Sequence, residues 1–177
     1  MTRTVSLFAG VTPRNPGEEV LAEEVGEVLG RAGYTVRHGG YNGMMEAAAR
    51  GAARYGVSVI AVTLAGRPDW GPFNPYATRQ VFAETMGARL HAYLDDADLV
   101  VAMGGGVGTL HEVTAALYYA TTIRPVPIRM LGPTASRLEE FLRAELWLQQ
   151  TPTRPLDFLR SLPDAQALAD DLAGGAR

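Results

Sequence analysis

The sequence has 177 residues, of which 47% are apolar and 20% charged, a composition typical of a globular protein long enough to bury a core. It has no cysteine, and all 16 basic residues are arginine, which excludes thiol, cysteine–metal, Schiff-base and P-loop lysine chemistry. A net charge of -3 and scattered arginines argue against a nucleic-acid surface, and no apolar run is long enough to span a membrane. We therefore expect a cytoplasmic protein with neither a nucleic-acid nor a membrane partner.

Short apolar runs alternate with helical patterns along the chain. Strands are predicted at residues 4–9, 34–37, 57–63, 99–103 and 126–130. Helices are predicted at about residues 15–32, 43–55, 80–94, 109–121, 134–148 and 165–172, with one long irregular stretch at 64–78. Such alternation favours parallel pairing and right-handed crossovers. The sequence therefore predicts an α/β protein, a Rossmann-like three-layer α/β/α fold with a mostly parallel sheet of five or more strands, in a single domain over residues 1–177.

Glycine follows three of the predicted strands, at Gly10, at Gly39–Gly40 and between Gly104 and Gly108. Ligands of such sheets bind beyond the carboxyl ends of the strands, where the strand order reverses, so we expect these loops to meet at one crevice. The last loop leads directly into a helix, whose N–H groups and positive end suit a phosphate, with the Thr109 hydroxyl as a further donor. A tight turn is the structural alternative, but four glycines in five positions exceed what a turn requires.

A nicotinamide cofactor is disfavoured by the first two strand ends. Its usual fingerprint places G-x-G-x-x-G after the first strand and an acidic residue after the second. Here the first strand ends at Gly10-Val11-Thr12-Pro13 and the second at Arg37-His38. Phosphate binding after the fourth predicted strand is a different arrangement, and a nicotinamide-dependent oxidoreductase is therefore the minor alternative.

Glu112 has two readings that the residues alone leave open. Thr109 and Glu112 have the spacing of a capping box, which is sufficient reason for a glutamate at this position. A carboxylate in the first helical turn beside a phosphate loop would also face the crevice, where it could bind ribose hydroxyls or stabilise a developing cation.

The loop and helix from Gly104 to Glu112 read G-G-G-V-G-T-L-H-E, which resembles the P-G-G-x-G-T-x-x-E signature of the LOG ("LONELY GUY") family. The segment from Met86 to Leu90 lies where that family has M-x-x-R-K, and Gly39 to Met45 resembles its G-G-G-x-x-G-x-M segment. The order of elements is similar from about residue 4 to 150. An older label of the family, lysine-decarboxylase-like, does not suit a chain without lysine.

The resemblance implies a phosphoribohydrolase, which cleaves the N-glycosidic bond of a nucleoside 5′-monophosphate to free base and ribose 5-phosphate, in the best-known cases in cytokinin biosynthesis. Glu112 and Arg89 would be catalytic: Glu112 would stabilise the oxocarbenium-like ribose, and Arg89 would clamp the phosphate or ribose. The resemblance implies a homodimer and neither a metal nor a cofactor. The expected substrate-binding residues are Gly10, Gly39, Gly40, Met86, Gly104, Gly105, Gly106, Val107, Gly108 and Thr109.

The sequence is also compatible with other interpretations of the function and of these residues. A non-catalytic nucleotide-binding or sensing module of the same superfamily would keep the glycine loop and release no base. Arg89 could instead be a surface arginine paired with Glu84 or Asp96. Leu90 stands where the LOG family has lysine, which removes one cation beside the motif arginine. Either a dimer contact or ordinary core packing would account for Met44, Met45, Tyr118 and Tyr119.

Overall fold

The computed structural model describes residues 2–174, which form seven strands and six helices. The strands are β1 (Thr4–Phe8), β2 (Thr35–His38), β3 (Val59–Leu64), β4 (Arg79–Ala83), β5 (Leu99–Ala102), β6 (Ile128–Leu131) and β7 (Leu159–Leu162). The helices are α1 (Pro16–Arg31), α2 (Met44–Ala53), α3 (Met86–Leu94), α4 (Val107–Thr122), α5 (Gly132–Ala144) and α6 (Ala165–Gly174). Among these described residues, no helix is both long and apolar enough to cross a membrane.

The strands form one sheet in the order β4-β3-β2-β1-β5-β6-β7, and every neighbouring pair is parallel. The central strand β1 is buried at all five positions, because helices cover both faces of a parallel sheet. The predicted Rossmann-like α/β/α fold with a mostly parallel sheet is therefore confirmed, with more strands than the five that the apolar runs indicated.

Two apolar clusters lie on opposite faces of the sheet. One contains side chains of α1, α2 and α6, including Leu29, Met44 and Leu168. The other contains side chains of α3, α4 and α5, including Tyr93 and Leu117. Each cluster joins one helical layer to the sheet, which makes the fold a three-layer sandwich.

Of the four residues for which a dimer contact and core packing were alternatives, three lie against the core. Met44 and Met45 are buried in the cluster of α2, and Tyr119 packs partly buried against the cluster of α4. Tyr118 is exposed on the outer face of α4.

The strand order reverses at β1, whose neighbours are β2 on one side and β5 on the other. The carboxyl ends of β1 and β5 are therefore adjacent: the Met103 N–H donates to the Phe8 carbonyl at 2.8 Å, and the Gly10 N–H donates to the Gly104 carbonyl at 2.9 Å. In open α/β sheets a ligand crevice forms at this point.

The prediction of one helix over residues 80–94 is wrong, because the first part of that segment is the edge strand β4. Only Ala83 is buried in this strand, so its apolar signal is weak and the pattern merges with that of α3. The Thr85 hydroxyl accepts from the Ala88 N–H at 3.1 Å and caps α3. Thr85 is therefore the residue in the sequence that marks where the strand has ended and the helix begins.

Smaller differences occur at the carboxyl-terminal part of the chain. The four-residue edge strand β7 was not predicted, since two of its residues are exposed and the run is short. Helix α5 ends at Ala144, four residues before its predicted end at Leu148, because Leu146 adopts a φ of 60° that an α-helix does not accommodate. The start of α1 is as predicted: Asn15 caps it through Gly17 N–H, and Pro16 occupies the first turn.

Candidate functional site

The loops after β1, β2 and β5 meet at one cavity of about 650 Å³, at the point where the strand order reverses. Helices α3 and α4 contribute Arg89 and Glu112 to its wall, and the segment before β4 contributes Trp70. We call this cavity the crevice. Its volume lies in the range of small-molecule sites, which is roughly 300–1,000 Å³.

Backbone forms the floor of the crevice because two glycines meet there. A Cβ added to Gly10 would lie 2.5 Å from the Cα of Gly105, closer than side chains and backbone approach. A Cβ on Gly105 would in turn overlap the Thr109 side chain. These two glycines are therefore required by the contact between the loops, in addition to any role in binding.

Helix α4 begins at Val107, with Gly106 as an N-cap that has no side chain to satisfy the first turn. The first N–H that bonds within the helix is that of Leu110, which donates to the Gly106 carbonyl at 3.0 Å. The N–H groups of Val107, Gly108 and Thr109 have no partner within the helix. Two of these residues, Gly108 and Thr109, line the crevice. Such a helix end binds anions.

The capping-box reading of Thr109 and Glu112 is therefore wrong, because Thr109 lies inside the first turn of α4 and is not the cap. Glu112 instead forms a buried ion pair with Arg89 of α3, with 2.8 Å between Oε1 and Nη1. The two side chains are only 9% and 11% exposed. The alternative of a surface arginine paired with Glu84 or Asp96 is also wrong, since Asp96 pairs with Arg37.

Every nitrogen of the Arg89 guanidinium contacts protein. Nε donates to the Val62 carbonyl at 3.1 Å, Nη2 donates to the Tyr93 hydroxyl at 3.0 Å, and Nη1 lies against Glu112. The Tyr93 hydroxyl donates to the same Val62 carbonyl at 2.9 Å. Arg89 is thus fixed by the end of β3 and by its own helix, and it holds the Glu112 carboxylate at the crevice wall.

Burial and the ion pair act on Glu112 in opposite directions. Removal from water raises the pKa of the Glu112 carboxyl, and the charge and hydrogen bond of Arg89 lower it. Burial is the larger cause, so the pKa of Glu112 lies above its ordinary value. A carboxyl with this property can hold or release a proton nearer to neutral pH.

Aromatic side chains form the wall opposite the glycine loop. Tyr41 and Trp70 both line the crevice, with their ring centroids 5.8 Å apart in an edge-to-face arrangement. Phe73 stacks on Tyr41 at 5.4 Å from behind, and the Tyr41 hydroxyl lies 2.7 Å from that of Thr63. Sequence reasoning did not identify these residues as part of a site, because Trp70 approaches Tyr41 only through the fold of the long irregular segment.

His38 supports the β2 end of the crevice from below. Its side chain is fully buried, and its Nδ1 accepts from the Gly40 N–H at 2.7 Å. Nε2 is buried without a hydrogen-bond partner among the described residues. Burial lowers the pKa of His38 to about 4, so the ring is neutral at physiological pH and can keep accepting from Gly40.

The crevice brings together part of the predicted site. The predicted residues that line it are Gly10, Gly39, Arg89, Gly105, Gly106, Gly108, Thr109 and Glu112. Those that do not line it are Gly40, Met86, Gly104 and Val107. Gly40 has a φ of 86° and packs beside Phe73, whereas Gly104 packs against Glu18 and Thr134. Met86 and Val107 are exposed, with Val107 at the mouth of a neighbouring cavity.

No group of three or more His, Asp or Glu side chains that could hold a metal ion occurs in the part of the chain that the structure describes. The chemistry available at the crevice includes backbone N–H groups, hydroxyl groups, the amide of Asn42, aromatic rings and one carboxylate–guanidinium pair. These groups suit a ligand with an anionic end and a flat ring.

Two solved structures share the fold at low sequence identity. The molybdenum cofactor binding protein from the phototrophic bacterium Rippkaea orientalis has a TM-score of 0.77 and 18% identity, over 100% of this chain and 99% of that chain. The molybdenum cofactor carrier protein from Chlamydomonas reinhardtii has a TM-score of 0.77 and 19% identity, over 100% of both chains. At such identities the likeness shows the fold alone.

Sequence comparison gives the family. A curated protein of Archaeoglobus fulgidus, described as uncharacterized, is 33% identical over 97 residues, which is 55% of this chain and 62% of that protein. The chain thus spans less than two thirds of that relative. The matches support the wider SLOG superfamily, and membership of the LOG family itself stays a prediction. A model of the SLOG cluster4 family matches residues 4–151, and the chain belongs to that family.

Proposed function

We propose that the protein binds a phosphorylated nucleotide in the crevice as a binding or sensing module. The observation that carries this proposal is that the open N-terminus of α4 and the aromatic pair Tyr41 and Trp70 face the same cavity. The phosphate would accept from the N–H groups of the α4 first turn. The base would lie against the aromatic rings, where stacking contributes about 1–3 kcal/mol per base.

The ion pair of Arg89 and Glu112 favours a binding role over catalytic turnover. Arg89 has each of its nitrogens engaged with protein, and the Glu112 carboxylate is matched by that guanidinium. Two proteins of the same fold are a molybdenum cofactor binding protein and a molybdenum cofactor carrier protein. In this proposal Arg89 and Glu112 are positioning residues, which join α3 to α4 and fix the crevice wall.

Titration calorimetry with the four common nucleoside 5′-monophosphates tests the binding proposal. Gly108→Asp adds a carboxylate in open space at the first turn of α4, where it would repel a phosphate, so we expect binding to fall by about tenfold or more. Gly87→Asp is the matched control, since Gly87 lies in the first turn of α3, where a Cβ would meet only the Thr85 hydroxyl, at 3.8 Å. Equal affinity of the two variants, or no binding by the unaltered protein, would contradict the proposal.

Hydrolysis of the N-glycosidic bond is the second candidate function, favoured by the position of the Glu112 side chain in the crevice wall. A carboxylate beside the ribose can stabilise an oxocarbenium-like transition state. Chromatography of each binding mixture for free base separates the candidates. Release of base that falls at least about 100-fold in Glu112→Gln would establish the hydrolase, whereas tight binding with no base released supports the binding module.

A homodimer in the cytoplasm belongs to the same proposal. The outer face of α4 exposes Leu110 and Tyr118 and carries no Asp, Glu or Arg side chain, and the exposed Trp147 lines the same surface cavity as Tyr118. Uncharged exposed patches are typical of contact surfaces. Light scattering should give the mass of two chains, and Tyr118→Lys should shift the mass toward one chain without loss of fold.

A further inference from the structure

A second cavity of about 510 Å³ lies on the other side of the glycine loop. It shares Gly105, Gly106 and Thr109 with the crevice, so the two spaces adjoin along this short segment. Its remaining walls come from the segment before α1, which contributes Arg14, and from the first turns of α5, which contribute Arg137.

The charge lining the second cavity differs from that of the crevice. In the crevice the charges of Arg89 and Glu112 cancel within one ion pair. The second cavity is lined by Arg14 and Arg137, and neither guanidinium lies within 4.0 Å of a carboxylate among residues 2–174. Neither guanidinium in the wall of the second cavity therefore forms an ion pair with a protein carboxylate in this part of the chain.

The buried carboxylate of Glu18 lies near this cavity but binds other groups than the two guanidinium groups. Glu18 accepts from the Arg14 backbone N–H at 2.7 Å and from the Thr134 hydroxyl. It therefore fixes the backbone of the segment that carries Arg14 and the start of α5 that carries Arg137, and leaves both guanidinium groups exposed. Among residues 2–174, the Arg137 guanidinium donates one hydrogen bond, to the Thr134 hydroxyl at 3.3 Å.

We propose that the second cavity receives a further phosphoryl group of the bound nucleotide, so that nucleoside diphosphates and diphosphate-linked nucleotides are preferred over monophosphates. This inference rests on the proposed function, because it needs the first phosphate at the shared glycine loop. From there a second phosphoryl group reaches the cavity that holds Arg14 and Arg137, since Gly105 and Gly106 border both spaces. Guanidinium groups bind phosphoryl oxygens through paired, charge-assisted hydrogen bonds.

Calorimetry with AMP and ADP as probes, at one ionic strength and without divalent cations, tests the inference. We expect ADP to bind about tenfold more tightly than AMP in the unaltered protein. The double variant Arg14→Gln/Arg137→Gln should bring the ratio of the two affinities to about one, with AMP affinity changed less than about twofold. Both side chains are exposed, so the variant is expected to fold.

The matched control is Arg79→Gln/Arg154→Gln, which removes the same charge from exposed arginines outside both cavities. The ADP preference should persist in this control. Equal binding of AMP and ADP by the unaltered protein, or an ADP preference that survives in Arg14→Gln/Arg137→Gln, would overturn the inference and leave the proposed function standing. Absence of binding by ADP and by all four nucleoside 5′-monophosphates would overturn the proposed function itself, and the inference with it.

Discussion

The two helical layers of the sandwich are held in different ways. In the layer of α1 and α2, the helices approach so closely that a Cβ added to Gly26 would overlap the Ala48 carbonyl, and one added to Gly51 would overlap the Glu23 carbonyl. Ion pairs of Arg50 and Arg54 with α1 glutamates cover this contact at the surface. Small residues and exposed charges therefore stabilise the first layer.

In the layer of α3, α4 and α5, charge lies inside. The Arg89–Glu112 pair joins α3 to α4 with less than an eighth of either side chain exposed, at the wall of the crevice. A buried ion pair contributes little net stability, because desolvation of the charges offsets their attraction. Close packing and surface ion pairs join the helices of the first layer, whereas the buried ion pair of the second layer adds little stability and fixes one wall of the crevice.

The largest effect is expected from Arg89→Met, which leaves the Glu112 carboxylate buried without a cation. The free energy of unfolding should fall by about 3–5 kcal/mol at neutral pH, measured by urea denaturation. The loss should shrink as the pH is lowered, because protonation of Glu112 removes the unpaired charge. The double variant Arg89→Met/Glu112→Gln should regain part of the stability, and failure to do so would mean that packing dominates this contact.

In the first layer, Gly26→Ala should destabilise the fold by about 3 kcal/mol, because its methyl group would separate α1 from α2. Gly87→Ala on α3, where the added methyl group makes only an ordinary contact with the Thr85 hydroxyl, is the control and should leave the free energy of unfolding unchanged or raise it by up to about 1 kcal/mol. Similar values for the two variants would remove the distinction between the layers.

The stability of the protein in acid should depend on His38, which is fully buried at the end of β2. The pKa of His38 is lowered from 6.5 to about 4 by burial, so the folded state favours the neutral ring and the unfolded chain binds the proton at higher pH. The neutral His38 ring therefore contributes to the free energy of unfolding above pH 6.5, and this contribution is lost as the pH falls toward 4. By pH 4 this loss amounts to about 3 kcal/mol.

Urea denaturation at several pH values measures this effect. The variant His38→Asn has no titrating group at the position, and its stability should decline less steeply than that of the unaltered protein across the same interval. Parallel curves for the two proteins would show that other groups cause the acid sensitivity.

The smallest effect is expected at the surface of the first layer. Arg54 is half exposed and pairs with Glu23 and Glu27. Since exposed ion pairs contribute little, Arg54→Gln should lower the free energy of unfolding by less than about 1 kcal/mol, and by less still at high salt. A loss of several kcal/mol in thermal or urea denaturation would show that these ion pairs, and not the glycines, hold α1 to α2.

The sheet could be predicted from sequence because its central strands are short apolar runs that end in glycine, as Thr4–Phe8 does before Gly10. Strand β4 could not, since an edge strand with one buried residue has little apolar pattern. Resemblance to a family motif brought Arg89 and Glu112 together as site residues, and periodicity alone gave no reason to pair side chains on separate helices. The approach of Trp70 to Tyr41 depends on a segment without regular structure, for which sequence patterns give no geometry.

The contact between Gly10 and Gly105 has a consequence for how recognition can change over evolution. Since neither position accommodates a side chain, the floor of the crevice is fixed by the backbone and tolerates few substitutions. The surrounding side chains, Tyr41 and Trp70 on one side and Arg14 and Arg137 on the other, stand on segments that can vary without disturbing that floor. A lineage that keeps the two glycines can therefore acquire a new ligand by substitution at the rim alone.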